Sequence, residues 1–285
     1  MRSQREVQLL LHTDEPAHLL LSGEEFDTWA IGDDLIAKFP RTAVDAEKVS
    51  IEAAVHPLLR DRLGHLVPAI RLIGELEDGS GFPFIVHERA PGVQGQTLDG
   101  VSIVPGPGLA EHTGSIFATL HRITADEAFA LGLGLGERPI TFDVPTIERA
   151  TRAAVEELVG DEASRFLASE PPVASPRRAL CHTDLKGEHV FVDANHARVT
   201  AIIDWADVEV CDPARDYAGL VIWLGADLAR EAAASEPDDA TLADRAIWLA
   251  RAGALSYLDD VRAGREDGPM AVITEQIRMA FAASG

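Results

Sequence analysis

The chain has 285 residues, enough for about two lobes and for a core that needs neither metal nor disulfide to hold it. Apolar residues make up 46% and charged residues 25%, which excludes a disordered chain. With 25 basic against 47 acidic residues the formal charge is −22; such a surface repels nucleic acid and anionic membranes and suits a cationic or amphipathic small molecule, or serves solubility alone.

From the N-terminus, residues 7–11 and 19–21 are short apolar runs among expected strands. The first is broken between His12 and Pro16, so this end makes a poor signal peptide. Residues 28–39 (TWAIGDDLIAKF) read as a hairpin turning at Gly32-Asp33-Asp34. A helix follows, with Val44, Ile51, Val55 and Leu58 on one face, Lys48 interrupting it, and Pro57 predicted to end or kink it. Strands are expected over 69–74 and 82–88, separated by a turn at 77–81. Pro91-Gly92 and Pro105-Gly106-Pro107-Gly108 mark a connector.

Beyond it the pattern becomes helical. Leu109, Ile116, Phe117 and Leu120 form one stripe, residues 146–167 read as an Ala/Glu-rich helix, and Thr241 with Asp244 resembles a capping box opening a helix to about Arg262. Pro269 opens a last helix whose stripe is Met270, Ile273, Ile277 and Phe281. One β-like insertion, residues 189–204, turns at 193–197. Cys181 and Cys211 are expected as buried thiols, since two cysteines make no disulfide framework. No run of 18 apolar residues occurs, so no transmembrane helix is expected. The outline is an α+β chain: a small antiparallel-sheet lobe over 1–88, a hinge at about 87–92, a mainly helical lobe over 89–285, and a cleft between. The expectation is a cytoplasmic protein, monomer or dimer.

The chemistry is concentrated in residues 180–220. His182-x-Asp184-Leu185-Lys186 leads into an apolar strand, a turn, and a second strand ending in Ile203-Asp204-Trp205. Two carboxylates held at the ends of a rigid hairpin suit phosphoryl transfer: one orients an attacking hydroxyl and takes its proton, the other holds Mg²⁺ against phosphates. The protein kinases' H-R-D-L-x-x-x-N loop has the same spacing, but the fifth position after the Asp is His189, not Asn, and Asp204-Trp205-Ala206 stands where they have Asp-Phe-Gly.

The stretch resembles the aminoglycoside phosphotransferase family, whose pattern is H-G-D-x-x-x-x-N/H, then I-D-W/F, then D-P-x-x-D. His182, Asp184, His189, Asp204, Asp212-Pro213 and Asp216 match it, and Thr183 replaces the Gly. A His at position 189 is similar to the aminoglycoside 2''-phosphotransferases and the macrolide phosphotransferases. IAKFPR at 36–41, Glu52, and GFPFIVHE at 81–88 resemble the family's nucleotide lobe, so the likeness spans about residues 20–225.

The resemblance implies a protein-kinase-like bilobal fold and an O-phosphotransferase using Mg²⁺ with ATP or GTP. By it, Asp184 orients the acceptor hydroxyl, Asp204 and His189 hold the metal, and Lys38 with Glu52 positions phosphates. Lys186 is placed to neutralise charge on the transferred group. Ser22 and Gly23 belong to the expected phosphate-covering loop, although residues 22–27 hold a single Gly and several acids that would repel phosphates unless turned away. The backbone from Glu88 to Ala90 is the implied adenine contact, and His182 and Asp216 brace the loop.

For the acceptor, Asp207, Glu209, Asp238 and Asp239, with Asp212, Glu231 and Glu236 nearby, would hold a polyamine sugar such as an aminoglycoside. Trp223, Leu224, Trp248, Leu249, Leu255 and Tyr257 would instead offer apolar walls to a macrolide, or serve as core. A sugar or amino alcohol acceptor stays open. So does a non-catalytic nucleotide-binding module, against which the intact Lys38, Asp184 and Asp204 argue.

Overall fold

The computed structural model describes residues 2–23, 25–97, 100–132, 144–266 and 268–282. Strands β1 (Ala17–Ser22), β2 (Phe26–Ile31), β3 (Leu35–Pro40), β4 (Ile70–Glu75) and β5 (Pro83–Glu88) form one antiparallel sheet in the order β1-β2-β3-β5-β4. The 28–39 hairpin is therefore β2–β3. Its register sets Lys38 between Thr28 and Ile85 in the middle of the sheet.

Residues 7–11 are not a strand. Helix α1 (Gln4–Leu10) forms because Ser3 and Glu6 make a capping box, and it buries Val7 in the cluster that holds Trp29 and Phe39. Helix α2 (Ala43–Leu63), capped by Thr42 and Asp45, presents a different face from the one read in the sequence. Val44 is exposed, while Ala46, Val49, Val55, Leu59 and Leu63 point inward. It also runs through Pro57. A helical Pro costs about 3 kcal/mol, and burying Leu59 and Leu63 returns about 1.5–3 kcal/mol each, so packing outweighs the lost hydrogen bond.

The connector carries the short strand β6 (Val93–Gln94). It adds to the hairpin β8 (Val190–Val192)–β9 (Val199–Ile202), whose turn lies where the sequence placed it, and β7 (Ala179–Cys181) pairs with β10 (Glu209–Cys211). The helical lobe holds α3 (Leu109–Leu120), α4 (Ala125–Phe129), α5 (Arg149–Val159), α6 (Asp161–Leu167), α7 (Ala214–Leu224), α8 (Ala226–Ala233), α9 (Leu242–Arg262) and α10 (Met270–Phe281). The long helix expected over 146–167 is two helices, broken at Gly160 (φ +61°). Thr241 precedes α9 without forming the capping box; its hydroxyl accepts from Arg245 at 2.6 Å. Met270 leaves the α10 stripe for solvent, whereas Ile273, Ile277 and Phe281 are buried.

Trp223, Leu224, Trp248, Leu249 and Leu255 lie in the core of the helical lobe, with Tyr257 packed against it, so the apolar wall open to a macrolide is core. Both cysteines are buried thiols. Among the described residues no helix is long and apolar enough to cross a membrane. Helix α7 meets the 182–189 loop where Gly219 lies under the Leu185 carbonyl, which a Cβ at Gly219 would overlap. Gly219→Ala is accordingly expected to lower stability by about 1–3 kcal/mol, read as a reduced urea midpoint, and to displace the loop that carries Asp184.

Candidate active site

The loop from β7 to β8 is held from below. Asp216, fully buried on α7, accepts from the backbone N–H of His182 (3.0 Å, Oδ2) and of Thr183 (2.8 Å, Oδ1). Thr183 has φ +68°, an outlying conformation for a β-branched residue, and its hydroxyl donates to the Asp207 carbonyl at 2.7 Å. That bond offsets the strain and gives a physical reason for Thr where the family pattern has Gly. His182 donates from Nε2 to the Ile203 carbonyl (2.9 Å) and packs on the Trp205 ring, tying the loop to the end of β9.

Two residues later Asp184 projects a half-exposed carboxylate, 3.1 Å from Lys186 Nζ, which also reaches Glu188 at 2.8 Å. Burial alone would raise the Asp184 carboxyl; Lys186 first, then His189, hold it below the usual carboxylate range. His189 donates from Nδ1 to the Asp184 carbonyl (2.7 Å), and its Nε2 lies 3.8 Å from Asp204 Oδ2. Nδ1 carries the proton that it donates, so Nε2 is the ring nitrogen on the Asp204 side.

Asp204 follows β9 in the left-handed region (φ +64°). Its Oδ1 lies 2.5 Å from Lys38 Nζ, which also meets Glu52 Oε2 at 3.0 Å and stands over the Phe26 ring. Burial opposes the charge on Lys38, but Asp204 and Glu52 outweigh it and push the ammonium up. Conversely, Lys38 and then His189 hold Asp204 far below the usual carboxylate range against its burial. Glu52 also accepts from the Trp205 N–H at 3.4 Å. One ion-paired triad thus joins β3, α2 and the segment after β9.

Donor atoms of Asp184, Glu188 and His189 lie within 4.8 Å of one another. With Asp204 they offer three carboxylates and one imidazole lone pair, a mostly hard oxygen set that fits Mg²⁺. Glu188 was not foreseen.

Glu25 and Asp27 of the 22–27 loop are engaged by neighbouring side chains. Lys48 takes Glu25 at 2.6 Å and Asp207 at 2.8 Å, and Ser22 donates to Asp27 at 2.7 Å. Gly23 is tied through its N–H to Phe26 and through its carbonyl to Arg41, and Glu24 lies outside the described residues. At the end of β5, the Glu88 N–H donates to the Ala69 carbonyl (2.9 Å), its carbonyl accepts from His87, and its carboxylate pairs with Arg71; Ala90 follows, half-buried.

The acceptor carboxylates expected from sequence do not form one group. Asp239 is committed to Arg245 at 2.7 Å, and Arg245, fully buried, also makes a bidentate pair with Asp212 at 2.9 Å; both leave the expected set because their oxygens are already paired. Glu236 is buried against His121, Tyr217 and Arg177. Asp207 faces Lys48, Glu209 lies on β10 opposite Cys181, and Asp238 and Glu231 are exposed.

Set beside known proteins, residues 17–253 match the model of the phosphotransferase enzyme family. The chain belongs to that family. Its relatives include the viomycin phosphotransferase of Streptomyces vinaceus, 25% identical over 228 residues that make up 77% of this chain and 78% of that protein. Among solved structures, the GDP and kanamycin complex of APH(2")-IIia superposes with a TM-score of 0.70 at 21% identity, covering 97% of this chain and 96% of that one. The apoenzyme of a macrolide 2'-phosphotransferase from Brachybacterium faecium gives 0.68 at 20% identity over 99% and 100%. This phosphotransferase therefore has the bilobal kinase-like fold, antiparallel sheet in one lobe and helices in the other.

Sequence reasoning passed over Lys48, His121, Arg177 and Arg245. The one available signal was a charge inside an apolar helical stripe, as at Lys48 and Arg245. Removing the Arg245 guanidinium takes the shared cation from Asp212 and Asp239, so Arg245→Ala is expected to lose about 3–5 kcal/mol in urea unfolding. Glu236 is raised by burial but held down to about 2 by His121 and Arg177. Its folded value lies below the unfolded 4.5, so it stabilises the fold above that pH, and the contribution fades as pH falls from about 4.5 toward 2. Melting temperature followed across that window should drop less steeply in Glu236→Gln than in the unsubstituted protein.

Proposed function

We propose that this protein is a Mg²⁺- and nucleotide-dependent O-phosphotransferase that moves the γ-phosphate of ATP or GTP to a hydroxyl of a cationic antibiotic, an aminoglycoside first among them, in the cytoplasm. Residues 1–88 bind the nucleotide, residues 89–285 carry the loop chemistry and the acceptor, and the hinge is at 87–92. The observation that carries this reading is Lys38 held between Glu52 and Asp204, on the approach to the Asp184–Lys186 loop.

In this reading Asp184, kept ionised by Lys186, accepts the acceptor's hydroxyl proton and aligns its oxygen. Lys38 meets the α- and β-phosphates, and Lys186 offsets charge on the transferred group. Ser22 and Gly23 lie against the phosphates, and the Glu88–Ala90 backbone against the base. Asp204 and His189, with Glu188 beside them, would hold Mg²⁺, and the ion would supply positive charge against the phosphates. His182 and Asp216 keep the loop in place. The exposed Asp238 carboxylate and the charge of −22 attract a polyamine, with the half-buried Glu209 on β10 as the further carboxylate expected from sequence. The names of the relatives, kanamycin complex and viomycin phosphotransferase, point to the same broad acceptor class.

Phosphate transfer from ATP and from GTP, with Mg²⁺, to kanamycin, gentamicin, streptomycin, hygromycin, viomycin and erythromycin tests the reading against a no-acceptor control. Turnover on at least one polyamine is expected, with Asp184→Asn lowering kcat by about 10²–10⁴. Turnover on erythromycin alone moves the acceptor to the macrolides. Nucleotide binding without any transfer sinks the antibiotic assignment.

A further inference from the structure

We infer that His121 is a positioning residue that works as an imidazolium, its two N–H groups tying Asp216, and through it the Asp184 loop, to Glu236 on the segment after α8. The inference rests on the phosphotransferase reading for its kinetic consequence, but not for its structural one. Both ring nitrogens face carboxylates: Nε2 lies 3.0 Å from Asp216 Oδ2 and Nδ1 2.7 Å from Glu236 Oε1, all at zero or near-zero exposure. A neutral imidazole has one N–H, and its other nitrogen would set a lone pair against a carboxylate; only the doubly protonated ring satisfies both contacts.

The surroundings balance that charge. Asp216 and Tyr217 reach the ring from α7, Glu236 from the segment after α8, Phe117 from α3, and the Cys181 thiol from β7. Arg177, from the segment before β7, pairs with Glu236 and donates to the His121 carbonyl at 3.5 Å. Two cations thus meet two carboxylates in a buried site, and Tyr217 gives Glu236 a further bond of 3.0 Å. Burial opposes the imidazolium, yet hydrogen bonds to Asp216 and Glu236 push it up to about 9. Being raised above 6.5, the charge contributes stability that is complete below that pH and lost as pH climbs through about 9.

Asp216 Oδ2 accepts from His121 and from the His182 N–H at once. If the ring loses its charge, Asp216 loses its counter-ion, and with it the grip on the strained Thr183 turn that aims Asp184. Alignment, not binding, then suffers, so kcat should fall while KM holds.

The test uses the full-length protein labelled with 15N-histidine. Nuclear magnetic resonance should find His121 protonated at both nitrogens from pH 6 to 8, losing a proton near pH 9, with the midpoint moving down in Glu236→Gln. In turnover, kcat should show an alkaline limb at that midpoint which moves with it in Glu236→Gln. His121→Gln should lose about 10–100-fold in kcat at pH 7.5, with KM for nucleotide little changed. Glu236→Gln carries the test if His121→Gln does not fold. A neutral single tautomer at pH 7, or a folded His121→Gln variant with wild-type kcat, overturns the inference. Should the wild-type chain transfer no phosphate, only the phosphotransferase reading falls. The tie is then judged by the ring's protonation and by faster amide exchange at His182 and Thr183 in the variant, and unchanged exchange sinks it.

Discussion

Lys38 sets one positive charge between two carboxylates that reach it from different parts of the chain, Glu52 on α2 and Asp204 after β9. Within a few ångströms the sheet, its helix and the helical lobe are bound to the same ammonium. The triad carries one more negative than positive charge. An isolated buried excess of that kind is costly, and here it sits at a site whose neighbours, Asp184, Glu188 and His189, can share a divalent cation. The negative charge gathered there is the charge that a metal and a phosphate-bearing ligand would use.

The same economy runs through an acidic chain. Three more cations are each committed to more than one acid: Lys48 to Glu25 and Asp207, Lys186 to Asp184 and Glu188, Arg245 to Asp212 and Asp239. Lys48 does two things at once: it neutralises Glu25 in the 22–27 loop, and it anchors that loop to the segment after Asp204. Strain is handled in the same local way. Thr183 and Asp204 both adopt left-handed conformations, and both are held by hydrogen bonds or ion pairs to elements distant in sequence.

How much of this the sequence carried can be judged residue by residue. The β2–β3 and β8–β9 hairpins, the helices α3, α9 and α10, and the His182-to-Asp216 motif were legible, because turn residues, apolar periodicity and short spacings act over a few residues. His182 bonds the Ile203 carbonyl, and Asp216 accepts from the N–H groups of His182 and Thr183. Less legible were α1, whose Ser3–Glu6 box was overlooked, the buried face of α2, and its passage through Pro57, where two leucines anchored in another lobe overrule a local rule.

What the sequence by itself determined is the set of local structures and the order in which chemical groups enter the site. What only the tertiary structure decided is which of 47 acidic residues remain free. Asp239 and Glu236 look like their exposed neighbour Asp238 in sequence, yet folding commits one to Arg245 and the other to His121. The physical reason is distance along the chain. Lys38 and Asp204 are 166 residues apart, and His121 lies 95 and 115 residues from its two partners, so these pairings exist only once the core has brought their elements together.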